Sequence, residues 1–147
     1  MSKNVSALTE LMFAYWPKIR KVFRNLVAIK EIPISMTQLT CLHIIYQNDS
    51  LTMSELANDL NMSNQQLTKV VDALEEFEMV ERVCDPSNRR KFYAKLAPKG
   101  EATVLALKAE IDRKLDYILR KKSPDEIDKL YDSIAYIASY FGYNGEE

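Results

Sequence analysis

Apolar positions along most of this chain recur at steps of three and four. Leu8, Leu11, Met12, Tyr15, Ile19, Val22, Phe23 and Leu26 form the first such stripe, the spacing that places side chains on one face of a helix. Pro17 interrupts it. A proline inside a helix removes one backbone bond and crowds the preceding turn, so a kink is expected there, or a fresh helix with Pro17 at its first position. Pro33 closes the region. Four later helix starts are announced by a hydroxyl followed three residues on by Gln or Glu: Ser35 and Gln38, Thr52 and Glu55, Ser63 and Gln66, Ser123 and Glu126. In this pairing each side chain satisfies a backbone N–H that the first turn leaves free. The stripes that follow are Leu39, Leu42, Ile45 and Tyr46; then Leu56, Ala57 and Leu60; then Leu67, Val70, Val71, Leu74 and Phe77. Asn61 stands where a short helix must stop in a left-handed conformation, which Asn tolerates.

The period changes at Val80. Residues Val80 to Cys84 and Phe92 to Leu96 are short, rich in strand formers and flank a turn-prone loop, Asp85 to Asn88, which predicts a hairpin with a long tip. Pro98 restarts a helix with Val104, Leu107, Ile111, Leu115 and Ile118 on one side, and Lys121 and Lys122 are expected to close it at the negative end of its dipole. Pro124 suits the first position of a last helix, expected to bury Ile127, Leu130, Tyr131, Ile134, Ile137, Ala138 and Phe141, with a frayed tail after Gly142. The expected fold is mainly α: a winged helix-turn-helix with an α/β wing at residues 36–97, between an N-terminal dimerisation helix (1–35) and C-terminal dimerisation helices (98–147).

Composition narrows the function. The 147 residues are 47% hydrophobic and 28% charged, an ordinary globular balance. No glycine precedes Gly100, which excludes a phosphate-cradling Gly-rich loop from the first two thirds of the chain. One histidine, His43, gives no basis for a metal cluster or a His-based triad and is expected to be a packing residue. Cys41 and Cys84 are too few for a disulfide scaffold; both are expected to be buried and inert, in a reducing cytoplasm. No cofactor, metal or membrane span is expected, and no nucleophile–base pair suggests an enzyme. The net charge of −1 argues against a globally basic nucleic-acid binder but leaves room for a local patch.

That patch is legible. The second helix of the helix-turn-helix opens with Ser63, Asn64, Gln65 and Gln66, followed by Thr68, Lys69 and Asp72 on its polar side. Amides both donate and accept, as the major-groove edge of adenine requires; Ser63 and the free N–H groups of the first turn suit a phosphate oxygen. The hairpin tip carries Arg89, Arg90 and Lys91, with Arg82 and Lys95 on the strands. Clustered cations suit a narrow minor groove. A capping sequence or a solvated basic loop explains either feature alone; their order together, helix-turn-helix and then wing, points to double-stranded DNA.

The stretch Asp85 to Lys91, the strand Phe92 to Leu96, and Pro98-Lys99-Gly100 closely resemble the wing signature of the MarR (multiple antibiotic resistance regulator) family, and Leu60 to Ser63 resembles its turn. Departures are Ala97 in place of Thr, Asn61 in place of Gly, Gln66 where Thr is common and Lys69 where Arg is common. The resemblance implies that Asp85 braces the wing by pairing with Arg89 or Arg90. It implies a homodimer with interlocked terminal helices, binding a pseudo-palindromic operator whose half-sites lie ~10 bp or a multiple of it apart. It also implies a small aromatic or phenolic effector, for which Phe13, Tyr15, Trp16, Tyr46 and Tyr117 are the candidate lining. The family's redox branch uses a cysteine in the first helix; none lies there in this chain. The expected function is a DNA-binding transcriptional regulator, a repressor released by its effector. The competing readings are a winged-helix protein–protein module and a thiol-based redox regulator.

Overall fold

A computed structural model describes residues 4–28 and 34–141; Pro33 and the tail after Gly142 lie outside them. Two compact units divide the chain, Met1–Ile111 and Asp112–Glu147. The first contains α1 (Val5–Val27), α2 (Met36–Asn48), β1 (Ser50–Thr52), α3 (Met53–Asp59), α4 (Asn64–Glu76), β2 (Val80–Cys84), β3 (Phe92–Leu96) and the start of α5 (Pro98–Leu119). The second holds the end of α5 and α6 (Pro124–Phe141). No helix among the described residues is long and apolar enough to cross a membrane.

The predicted capping boxes at Ser35, Thr52 and Ser63 form with both reciprocal bonds. Ser123 and Glu126 exchange the same pair of bonds at 3.0 and 3.3 Å, with Pro124 at the first helical position. Asn61 takes the left-handed conformation, φ 49°, that ends α3. The winged core is built from the predicted stripes: Leu42, Ile45, Leu56, Leu67, Val71 and Leu74 are fully buried, each side chain contributing about 1.5–3 kcal/mol by leaving water.

The sheet has three strands in the order β1-β3-β2, all antiparallel. β2 and β3 are the expected hairpin, in the register Val80 with Leu96 and Cys84 with Phe92. β1 was not expected; three residues carry no readable alternation, and Thr52 serves both as its last residue and as the cap of α3.

The base of the wing is welded to α5. Ala97 donates its N–H to the Met79 carbonyl at 3.0 Å, and Gly100 lies so close that a Cβ there would stand 1.9 Å from the same oxygen. Val104 joins the winged core and Leu107 is buried. The start of α5 therefore packs with the winged core, and the compact units part at Ile111.

Of the two alternatives at Pro17, the restart does not occur: α1 runs unbroken through it. Two further expectations differ. α5 ends at Leu119, so Lys121 and Lys122 lie beyond it; Lys122 pairs with Glu126 at 2.9 Å. The stripes of α1 and α6 are largely open within one chain: Leu11 is 56% and Ile134 59% exposed, and Leu8, Ile19, Leu130 and Ile137 are exposed with them. Amphipathic spacing identifies an apolar face but not what covers it.

Candidate nucleic-acid interface

The N-terminus of α4 is solvent-facing. Ser63, Asn64, Gln65, Gln66, Thr68 and Lys69 are all exposed, while Leu67, Val71 and Leu74 on the opposite side fix the helix to the core. The first turn divides its polar groups between two tasks. Ser63 Oγ accepts from the Gln66 N–H at 3.2 Å, and Gln66 Oε1 accepts from the Ser63 N–H at 3.0 Å and the Ser63 hydroxyl at 3.1 Å. The Thr68 hydroxyl donates to the Asn64 carbonyl at 2.8 Å. Ser63, Thr68 and the carbonyl end of Gln66 thus serve the helix itself. The side chains of Asn64, Gln65 and Lys69 make no hydrogen bond or ion pair among the described residues.

The wing tip shows a similar division. Arg89 and Arg90 are exposed, and their guanidinium groups have no partner among the described residues. Lys91 is held back: its Nζ lies 5.2 Å from the centre of the Tyr93 ring, and the Tyr93 contact, with Asp85 and Glu55 nearby, raises its pKa. Asp85 holds the tip together, but not through an arginine as the family resemblance implied. Its Oδ1 accepts from the Ser87 hydroxyl at 2.6 Å and from the N–H groups of Ser87 at 2.8 Å and Asn88 at 3.3 Å; its Oδ2 accepts from the Tyr93 hydroxyl at 3.2 Å. These donors, the Ser87 hydroxyl foremost, lower the pKa of its carboxyl. Four donors from three local residues satisfy the carboxylate, and both guanidinium groups stay unengaged among the described residues. Sequence reasoning missed Ser87 and Tyr93; the Asp-x-Ser spacing of a side-chain-closed turn was the available signal.

Arg82 also differs from expectation. It faces Ala94 across the hairpin, and Ala94 is fully buried, so the Arg82 side chain lies on the inner face of the sheet, against α4. There it meets Asp72 at 2.6 Å and Glu75 at 2.5 Å. It is a bound cation, not part of the open patch. Lys95, on the other face, is exposed.

Other candidates disperse. His43 is exposed on α2 rather than packed. Cys41 is fully buried, and burial pushes its thiol up to about 12, where a reactive thiolate does not form near neutrality. Cys84 is exposed, contrary to expectation; it ends β2 beyond the reach of the core. Phe13, Tyr15, Trp16, Tyr46 and Tyr117 are 79, 50, 62, 37 and 64% exposed, and none lines the cavity of about 300 Å³ found in the first unit. Arg24, Val27, Ile34, Met36, Leu39 and Leu107 surround that space instead. No group of three or more His, Cys, Asp or Glu that could hold a metal occurs among the described residues.

A helix-turn-helix whose second helix presents free amides, followed directly by a hairpin with a cationic tip, defines a winged helix-turn-helix domain. Residues 34–92 match the family model of the MarR family. A Bacillus subtilis (strain 168) protein named as an uncharacterized HTH-type transcriptional regulator, YsmB, is 28% identical over 95 residues, 58% of this chain. The match spans just under two thirds, 65%, of that relative's length. Among solved structures, a MarR family protein from Bacillus stearothermophilus superposes with a TM-score of 0.80 at 22% identity, covering 97% of this chain and 98% of that one. FabT of Streptococcus pneumoniae, solved in complex with DNA, superposes with a TM-score of 0.73 at 18% identity, covering 95% and 98%. These likenesses establish the MarR winged-helix fold along nearly the whole chain.

Proposed function

We propose that the protein is a dimeric, sequence-specific DNA-binding transcriptional regulator, a repressor that a small aromatic ligand releases. One observation carries the DNA reading: Asn64, Gln65 and Lys69 on the recognition helix and Arg89 and Arg90 on the wing are exposed, with side chains unengaged among the described residues, while neighbouring polar groups are committed to caps and ion pairs. Amides read base edges and guanidinium groups meet phosphate or a minor groove. Ser63, Gln66 and Thr68 contribute through the N–H groups and spare donors of the first turn, and Lys91 adds long-range charge. The known complex of FabT with DNA favours the same use of this fold.

Self-association accounts for the open stripes of α1 and α6, since apolar faces of this length on a soluble chain are covered by a partner, most often in a twofold dimer. Sedimentation of the purified chain should give the mass of a dimer. The ligand reading rests on the cavity beside Arg24, whose apolar walls and Arg24 cation suit an aromatic carboxylate or phenolate. Calorimetry with a panel of such anions tests it.

The decisive experiment titrates labelled duplex DNA against salt. A protein making about 6–10 phosphate contacts loses about 10³–10⁵-fold in affinity between roughly 50 and 200 mM salt. A steep linear fall of log affinity with log salt supports the regulator; the absence of binding at low salt would leave the winged helix as a protein–protein module.

A further inference from the structure

We infer that Arg82 is a positioning residue of the DNA-reading surface, fastening the wing to the recognition helix and so setting the spacing between the α4 amides and the wing-tip arginines. The inference rests on the DNA-binding reading above. Its basis is a fork of contacts along one side of α4. One terminal nitrogen of Arg82 bonds Glu75 at 2.5 Å; the other bonds Asp72 at 2.6 Å and reaches the Thr68 carbonyl at 3.3 Å. The Arg82 backbone N–H also donates to Glu75, at 3.1 Å. Residues 68, 72 and 75 follow one another by four and three, so they stack on one face over two turns of α4. A single strand residue therefore grips the helix at three levels, and Glu75 holds that residue by main chain and side chain together.

Only a planar guanidinium can serve two carboxylates and a carbonyl from one side; a lysine supplies a point charge on a flexible stem. The Arg82 side chain is 25% exposed and Glu75 32%, so these charges are partly desolvated and neither is readily left unpaired. β2 continues only two residues beyond the grip, to Cys84, before the tip begins. A small rotation at Arg82 therefore swings Arg89 and Arg90 relative to Gln65. The grip also neutralises Asp72, which stands on the polar side of the recognition helix at 51% exposure and would otherwise repel phosphate.

The test uses the full chain and two duplexes: one recovered from a random library by selection with the wild-type protein, and a scrambled duplex of the same length and composition. Affinities are measured against salt for wild type, Arg82→Lys, Glu75→Ala, Asp72→Ala and the swapped pair Arg82→Glu/Glu75→Arg. Removing an acidic charge should by simple electrostatics strengthen binding to any DNA. The grip predicts the opposite on the selected duplex. Arg82→Lys and Glu75→Ala should each lower the ratio of selected to scrambled affinity by about tenfold, a typical coupling for residues in one ion-pair network, with the salt slope on scrambled DNA unchanged. The swapped pair should recover part of the ratio. Equal losses on both duplexes, a reduced salt slope for Arg82→Lys, or Glu75→Ala binding the selected duplex at least as well as wild type would overturn the inference. If the Arg82 variants do not fold, Asp72→Ala decides it on the same ratio. If the wild type binds no duplex, the DNA reading fails by itself. The grip is then judged by a thermal double-mutant cycle on Arg82→Ala and Glu75→Ala, in which additive losses would refute it.

Discussion

Substituting Gly100 by alanine tests how rigidly the wing is joined to α5. In most helices this change stabilises, by about 1 kcal/mol from helix propensity. Here the new Cβ would stand 1.9 Å from the Met79 carbonyl oxygen, and backbone atoms must part by at least 1.1 Å to reach the 3.0 Å that real Cβ contacts keep. Neither side yields easily. The Met79 carbonyl holds the Ala97 N–H at 3.0 Å, the Met79 N–H closes α4 on the Leu74 carbonyl at 2.9 Å, and Val80 is locked in the sheet. Overpacking of this kind costs about 1–3 kcal/mol, here at the upper end because the obstacle is backbone. Loss of the Ala97 bond adds about 1 kcal/mol. After the propensity gain, the net destabilisation is about 3 kcal/mol, which lowers the midpoint of a chain this size by about 6–12 °C. Thermal unfolding followed by circular dichroism, at matched protein concentration, measures it. Lys99→Ala, at the exposed neighbour, serves as the control and should change little. A Gly100→Ala midpoint equal to or above wild type would show that the contact relaxes without penalty and that the weld does not exist.

Other expectations follow from the same geometry. Gln65→Ala should cost about 1–3 kcal/mol on a selected duplex and little on a scrambled one; equal losses would remove its base-reading role. Arg90→Ala should weaken binding to all duplexes alike and reduce the salt slope by about 1 per protomer; an unchanged slope would take Arg90 off the phosphates. Glu78 sits at φ 59°, a left-handed conformation costing a residue with a Cβ roughly 1–2 kcal/mol, so Glu78→Gly should raise the melting midpoint, and a fall would contradict the strain. Because Asp85 titrates below its ordinary value in the folded chain, its contribution to wing order is fully present above the ordinary carboxylate range of about 3.9 and is lost as pH falls through the lower folded value. Amide NMR shifts of Ser87 and Asn88 should titrate with a midpoint below that range; one at or above it refutes the bracing.

Much of the fold was legible because its signals are local. Each capping box needs only two residues three apart, and all four formed where Ser35, Thr52, Ser63 and Ser123 announced them. The hairpin ends were equally plain, since two short runs rich in strand formers, Val80 to Cys84 and Phe92 to Leu96, flank a turn-prone loop. What escaped depends on contacts distant in sequence. That Arg82 turns inward follows from its register with Ala94, and that Gly100 is obligatory follows from a carbonyl twenty-one positions earlier. The α1 and α6 stripes misled in another way, because the same spacing describes a face turned to its own core and a face left open.

The commitment of Gln66 to capping has a consequence for how recognition in such a protein diversifies. Its oxygen is tied up with Ser63, so any replacement there loosens the start of the reading helix while altering what that helix reads. Drift toward a new operator is impeded at this position and open at the two residues before it, Asn64 and Gln65. Variants that change target preference without softening the fold should therefore accumulate at those two positions.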